Sequence, residues 1–204
     1  MSASVLISIR PKWCELIASG KKTVEVRKTR PRKETPFKCY IYCTKSTDHP
    51  AGWLGCYDHD WHKFGLISPL NIEAGKHFNI EVISGKVVGE FVCDKIYTIE
   101  AIGPLPWGGS KGSWSPFNPN DACLTVNEIE DYIDGRDGFG WHISNLTIYE
   151  KPKKLHEFNG ICSKKALKDC ECGTCERLLK SGIGHCPMDF LKRPPQSWCY
   201  VEEA

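Results

Sequence analysis

This chain lacks a long apolar run. None of its segments approaches the roughly 18 consecutive apolar residues that a membrane-spanning helix requires, and charged residues make up 25% of its 204 residues. Residues 1–9 are too few for a secretory signal and carry no charged side chain. Their alternation predicts a first strand instead. We therefore expect a cytoplasmic protein that does not enter a membrane.

The chain also carries little net charge. A value of +2 does not by itself indicate a highly charged partner. The distribution is uneven, because nine lysines and arginines stand between Arg10 and Lys33 against two glutamates. Such a cluster attracts polyanions even when the whole molecule is nearly neutral. A basic face that only contacts water is the alternative interpretation.

Cysteine, in contrast, is abundant, with twelve residues. Without a secretory signal, buried thiols and a metal site are better interpretations than a disulfide framework. Half of the cysteines are scattered over the first 152 residues, where we expect most of them to fill core volume. These six are Cys14, Cys39, Cys43, Cys56, Cys93 and Cys123.

The most informative segment joins a short helix to a strand. Pro11 suits the first turn of an amphipathic helix, and Gly20 suits the left-handed position just past a helix end. From Thr23 the polarity alternates with a period of two, so Val24 and Val26 are predicted to enter a core. The same pattern later in the chain predicts a strand over residues 139–149.

The opposite face of the predicted strand is polar. Thr23, Glu25 and Arg27 share it, and Lys22 stands at the corner between helix and strand. We expect this face to line a cleft. The alternative is an exposed Glu25–Arg27 ion pair at the strand edge, which would contribute only about 0–1 kcal/mol.

Four residues of this segment suggest a family. Gly20, Lys22, Glu25 and Arg27 fill the pattern G-x-K-x-x-E-x-R, which resembles the signature of the ASCH domain, in the PUA-like group of small β-barrels. The resemblance implies an α+β fold, a small mixed β-barrel with flanking helices. The group is known for binding RNA and modified bases, so the resemblance also implies that kind of ligand.

Two later segments extend the resemblance, which covers about residues 4–150. Residues 85–91 resemble a later barrel strand, and residues 140–143 resemble the strand that closes the barrel. We therefore predict a barrel domain over residues 1–152 with an insertion at about 45–76. Residues 153–204 form a cysteine-rich extension whose last strand docks on the barrel.

The extension holds a candidate zinc site. Closely spaced thiolates on a turn suit tetrahedral zinc, and Gly173 permits such a turn. The candidate ligands are Cys170, Cys172, Cys175 and Cys186, with Cys162 or His185 as substitutes for Cys170. Reduced thiols in a small core are the alternative.

The first functional hypothesis is an RNA-binding or modified-nucleoside-binding cleft. Lys22 and Arg27 would meet phosphate or a base edge, Glu25 would accept from an exocyclic amine, and an aromatic ring would stack on the base. The candidate ligand-binding residues are Lys22, Glu25, Arg27, Lys28, Trp13, Trp141 and His142.

The second hypothesis is an enzyme. Some small proteins similar to this one hydrolyse N4-acetylated cytidine with a lysine, a threonine and a glutamate at this corner, and others cleave RNA. Lys22 matches the lysine, whereas Glu25 stands where the amidohydrolases have the threonine. A carboxylate can act as a general base, and Thr23 could supply a hydroxyl if the cleft reaches it. A protein-interaction module is the third hypothesis, because the net charge is low.

Overall fold

The computed structural model describes residues 3–45, 53–100, 116–161 and 191–203. These residues form a mixed α+β fold, which confirms the predicted fold class. The strands are β1 (Ser4–Ile9), β2 (Val24–Arg27), β3 (Phe37–Cys43), β4 (Leu54–Asp58), β5 (Lys63–Ile67), β6 (Ile80–Val82), β7 (Val87–Cys93), β8 (Ile96–Ile99), β9 (Gly138–His142), β10 (Ser144–Lys153), β11 (Phe158–Ile161) and β12 (Trp198–Glu203). The α-helices are α1 (Pro11–Ala18), α2 (Ile72–His77) and α3 (Val126–Ile133), and short 3-10 helices span Pro69–Asn71, Pro119–Ala122 and Leu155–Glu157.

The largest sheet has six strands in the order β10-β7-β3-β1-β12-β11. β1 runs parallel to β3 and antiparallel to β12, with Ile7 opposite Trp198. The first and the last described strands are therefore neighbours in one sheet. Residues 195–201 thus contact the start of the chain, which places them near the predicted cleft.

The signature strand lies in a second sheet, in the order β2-β9-β8, and a third sheet has the order β5-β4-β6. Across β2 and β9, Glu25 is opposite Trp141 and Arg27 is opposite Phe139. The described strands therefore make three hydrogen-bonded sheets, which do not close into the single barrel that the resemblance implied. β4 and β5 lie within the predicted insertion, where they pair with each other.

The face of β2 that carries the valines is covered by α3. Val24 and Val26 pack in one cluster with Ile129 and Ile133 of that helix. The prediction that these valines enter a core is confirmed, because α3 shields them from water. The opposite face of β2 is therefore the one that presents Glu25 and Arg27.

Buried thiols are common in the described residues, as predicted. Cys14, Cys39, Cys43, Cys56 and Cys93 are buried. The predicted zinc ligands Cys170, Cys172, Cys175 and Cys186 lie outside the described residues. Within the described ranges, no three histidine, cysteine or acidic side chains come together as metal ligands. In the same ranges, the helices are all too short or too polar to cross a membrane.

Candidate functional site

The site starts at the corner between α1 and β2. Pro11 occupies the first turn of α1, and Gly20 follows the helix with a φ of 73°, which favours glycine. The backbone N–H of Lys22 then donates to Leu16 O at 2.9 Å. This bond ties the corner to the helix end, so it fixes where the Lys22 side chain begins.

Three charged side chains meet just after this corner. Glu25 accepts one cation on each carboxylate oxygen: Arg27 Nη2 lies 3.0 Å from Oε1, and Lys22 Nζ lies 3.4 Å from Oε2. The side chains of Lys22, Glu25 and Arg27 are only 2%, 8% and 9% exposed. The exposed Glu25–Arg27 ion pair, which was the alternative interpretation, is not what forms, because the charges make a buried cluster. Buried charges cost several kcal/mol when a partner is removed, so the three depend on one another.

The two cations are also anchored to other parts of the chain. Lys22 Nζ donates to Ala122 O at 2.7 Å, at the end of a 3-10 helix. Arg27 Nη2 donates to Ser8 O at 2.5 Å, and Arg27 Nη1 donates to Ser197 Oγ at 3.5 Å. These bonds hold the cluster between β1, the 3-10 helix and the segment that leads into β12.

An aromatic ring lies beside the cluster. Trp13, which is partly buried in α1, has Lys22 Nζ at 5.0 Å and Lys12 Nζ at 4.6 Å from its ring centroid. Both distances fall within the range of a cation–π contact. The indole and the Lys22 ammonium therefore form one polar and aromatic surface.

This surface faces a cavity of about 540 Å³. The cavity is lined by Lys22, Glu25 and Arg27, with Trp13 and Tyr132 among its other walls. Its volume lies within the roughly 300–1,000 Å³ that is typical of small-molecule sites. The predicted cleft is therefore present.

Residues 7–63 match the model of the ASCH domain. The match includes Gly20, Lys22, Glu25 and Arg27, on which the resemblance was based, and it confirms that resemblance. The ASCH match ends at residue 63, so several walls of the cavity come from segments outside it.

Solved structures of an ASCH protein from Zymomonas mobilis are also similar to this chain. The first has a TM-score of 0.48 and 16% identity, and covers 98% of this chain and 87% of the other. A mutant form of that protein gives a TM-score of 0.48 and 16% identity, with coverages of 98% and 90%. No curated protein matches the sequence.

Two of the aromatic or imidazole candidates do not face the cavity. Trp141 is fully buried, and its ring packs edge-on against Phe37 with the centroids 5.9 Å apart. It is a core residue and is not among the residues that line the cavity. His142 pairs with Asp94, with Nδ1 2.6 Å from Oδ1, and does not line the cavity. The His142 hydrogen bond holds the pKa of Asp94 below its usual value.

Thr23 also lies away from the cavity. Its backbone N–H donates to Asp121 O at 2.8 Å, its carbonyl accepts from the Ile143 N–H at 2.8 Å, and it is not among the lining residues. Lys28 is exposed beside the cavity, with Nζ 5.5 Å from the Tyr132 ring centroid. The structure therefore brings Trp13, Lys22, Glu25 and Arg27 together in the cavity wall, whereas Lys28 lies outside that wall.

Sequence reasoning missed Tyr132 and Ser197. Tyr132 follows Glu128 by one helical turn, and both line the cavity. Burial raises the pKa of Tyr132, and the nearby Arg27 opposes that shift. The capping box Thr125–Glu128, which sets the start of α3, was a signal that could have placed Tyr132 on the same face as Glu128. Ser197 had no such signal, because its contact with Arg27 spans 170 residues.

Proposed function

We propose that this chain binds RNA or a modified nucleoside in the cavity beside Lys22, Glu25 and Arg27. One observation carries the proposal: a buried carboxylate paired with two buried cations stands with Trp13 in the wall of a cavity of nucleoside size. The ASCH match supports it, because the resemblance implies this class of ligand.

The charges of the cluster favour a ligand that accepts hydrogen bonds. Lys22 and Arg27 supply two cations against the single carboxylate of Glu25. A surplus of one positive charge in a mostly buried setting favours carbonyl or phosphate oxygens. Glu25 has remaining lone pairs for an amine of the ligand. A base stacked on Trp13 would add about 1–3 kcal/mol.

Binding can be measured with two ligands and three variants. Single-stranded RNA and N4-acetylcytidine are titrated into the wild type, Trp13→Leu, Lys22→Met and the control Lys21→Met, which changes an exposed neighbour. We expect Trp13→Leu and Lys22→Met to weaken binding about tenfold or more, since tenfold corresponds to about 1.4 kcal/mol. Wild-type binding that neither variant reduces would contradict the proposal.

Hydrolysis of N4-acylated cytidine, or of RNA, is the second candidate. The observation that favours it is the approach of Lys22 Nζ to Glu25 Oε2 in a cavity wall, a pair that can hold and move a proton. Thr23 does not line the cavity, so the attacking group would be water rather than its hydroxyl. Water would add to the amide carbonyl, and acetate and cytidine would leave.

Acetate release from N4-acetylcytidine and shortening of an RNA oligonucleotide test this candidate. We expect Glu25→Gln to remove either activity, because the amide keeps the shape of the carboxylate but not its basicity. Binding without turnover in the wild type would reject hydrolysis and leave the binding function in place.

Three further expectations remain proposals. A structural zinc at Cys170, Cys172, Cys175 and Cys186 predicts about one metal ion per chain, which elemental analysis of purified protein would detect. A domain boundary near residue 152 and a cytoplasmic location are tested by limited proteolysis and by cell fractionation. A protein-interaction role predicts a partner that is captured even when both ligands fail to bind.

A further inference from the structure

We propose that residues 28–32 hold the sugar–phosphate backbone of a single-stranded RNA whose base enters the cavity. The ligand is then a polynucleotide rather than a free nucleoside. This inference rests on the proposed function and specifies its ligand class. It concerns a surface outside the cavity, so the two can fail separately.

The segment leaves the signature strand directly at the rim of the cavity. Lys28, Arg30 and Arg32 are all exposed. Lys28 Nζ lies 5.5 Å from the ring centroid of Tyr132, which is a wall of the cavity. Lys28 is therefore the first cation that a strand leaving the cavity on this side meets.

Arg30 continues the same path. Its Cζ lies 5.6 Å from the ring centroid of Phe139, and Phe139 is opposite Arg27 across β2 and β9. The segment thus presents two cations, each beside an aromatic ring, one after the other. Alternating cations and aromatic faces are typical of surfaces that bind single-stranded nucleic acid.

The backbone of the segment is fixed before any ligand arrives. Thr29 Oγ1 accepts from Trp198 Nε1 at 3.0 Å, and the Arg32 N–H donates to the Tyr200 hydroxyl at 3.0 Å. Pro31 between them is buried. A segment held by β12 in this way loses little conformational freedom on binding, so its cations are preorganised for a chain of phosphates.

Basic and acidic side chains are unevenly distributed between the two segments that meet at Lys28 and Tyr132. Residues 28–33 contain four basic and no acidic side chains, whereas Glu128, Glu130, Asp131 and Asp134 stand on or directly after α3. A polyanion is therefore attracted to residues 28–33 and repelled by the acidic side chains of α3. This charge distribution favours a path of the RNA strand along residues 28–32.

The proposed RNA track, residues 28–32, is tested by the salt dependence of binding and by the length of the RNA. Cytidine and single-stranded RNAs of increasing length are titrated into three proteins. These are the wild type, the triple variant Lys28→Gln/Arg30→Gln/Arg32→Gln and the control Lys63→Gln/Lys76→Gln/Lys151→Gln. The control removes three exposed lysines outside the cavity wall. Each lost phosphate contact reduces the magnitude of the slope of log K against log[salt] by about 0.7. We expect the slope of the triple variant to be about 2 smaller in magnitude than that of the wild type. The affinity difference between the two proteins for the oligonucleotide should therefore be about 20-fold larger at 50 mM than at 200 mM salt.

Cytidine binding should stay the same in all three proteins, because Lys28, Arg30 and Arg32 lie outside the cavity wall. The hydrogen bonds of Thr29 Oγ1 and the Arg32 N–H do not involve the substituted side chains, so the segment should keep its position. A wild type that binds oligonucleotides no more tightly than cytidine would overturn the track but not the cavity. Equal loss in the triple variant and the control would overturn it too, as would equally tight binding of a polyglutamate peptide. Failure of the wild type to bind any nucleoside or RNA would remove the proposed function itself.

Discussion

The ammonium of Lys22 donates to the carbonyl oxygen of Ala122, 100 residues further along the chain. This bond joins the signature corner to the 3-10 helix that precedes α3. Ala122 lies outside the ASCH match of residues 7–63, and so do Ser197 and Tyr132. The position of the signature lysine therefore depends on parts of the chain that the match does not cover.

Replacing Lys22 should destabilise the protein. In Lys22→Met, Glu25 loses one of its two cations, and the buried Ala122 carbonyl loses its donor. Leaving such groups unpaired costs about 1–3 kcal/mol each, while Glu25 keeps Arg27. We expect the free energy of unfolding in urea to fall by about 2–4 kcal/mol. Lys21→Met, on an exposed side chain, should change it by less than about 0.5 kcal/mol. Equal values for the two variants would contradict the buried cluster.

The two tryptophans should separate binding from stability. Trp141→Leu removes part of a fully buried ring and should cost about 3 kcal/mol of unfolding free energy, with nucleoside affinity unchanged in the protein that remains folded. Trp13→Leu changes a partly buried ring in the cavity wall. It should lower the unfolding free energy by less than about 1.5 kcal/mol, but it should weaken ligand binding. Urea unfolding and ligand titration on both variants measure the contrast. Loss of affinity with Trp141→Leu alone would place the stacking ring elsewhere.

The start of α3 should affect both the fold and the cavity. Thr125 Oγ1 accepts from the Glu128 N–H at 3.2 Å, and the Glu128 carboxylate accepts from the Thr125 N–H at 2.7 Å. Thr125→Ala removes half of this capping box and should cost about 1 kcal/mol. Because α3 carries Tyr132, RNA affinity should fall as well. Asn127→Ala, an exposed change inside the same helix, serves as the control. An unchanged melting temperature in Thr125→Ala would argue against the cap.

Alkaline pH should reduce stability through the buried thiols. Burial raises the pKa of Cys93 from 9.0 to about 12. The folded thiol therefore stays protonated at pH values where the unfolded thiol ionises. The contribution of the protonated thiol to the free energy of unfolding is complete below about pH 9. It is lost as pH rises towards 12, at about 1.4 kcal/mol per pH unit.

Urea unfolding at pH 8, 9, 10 and 11 measures this effect. Cys93→Ala should lower stability at pH 8 because it leaves a small cavity, but its decline above pH 9 should be shallower by about 1.4 kcal/mol per pH unit. Ile99→Val truncates another buried side chain without removing a titrating group, so it should keep the wild-type slope. If the unfolding free energies of Cys93→Ala and the wild type fall in parallel as pH rises, Cys93 does not contribute to the pH dependence of stability.

Local patterns predicted much of the fold near the signature. Pro11, Gly20 and the alternation from Thr23 onward are enough to predict a helix, a left-handed stop and a strand with its valines buried. Over residues 139–149, the same kind of pattern predicted one strand, whereas the chain forms β9 and β10 in two different sheets. Alternation reports which side of a strand is apolar, but it does not report which sheet the strand joins.

The sequence by itself determined that Lys22, Glu25 and Arg27 share a corner and a strand face, because side-chain direction follows from local backbone geometry. Only the tertiary structure decided that these charges are buried, that Trp13 rather than Trp141 borders the cavity, and that Ala122, Ser8 and Ser197 hold the cations. Burial and long-range hydrogen bonds depend on which distant segments pack together. That packing minimises exposed apolar area over the whole chain, so no local pattern encodes it.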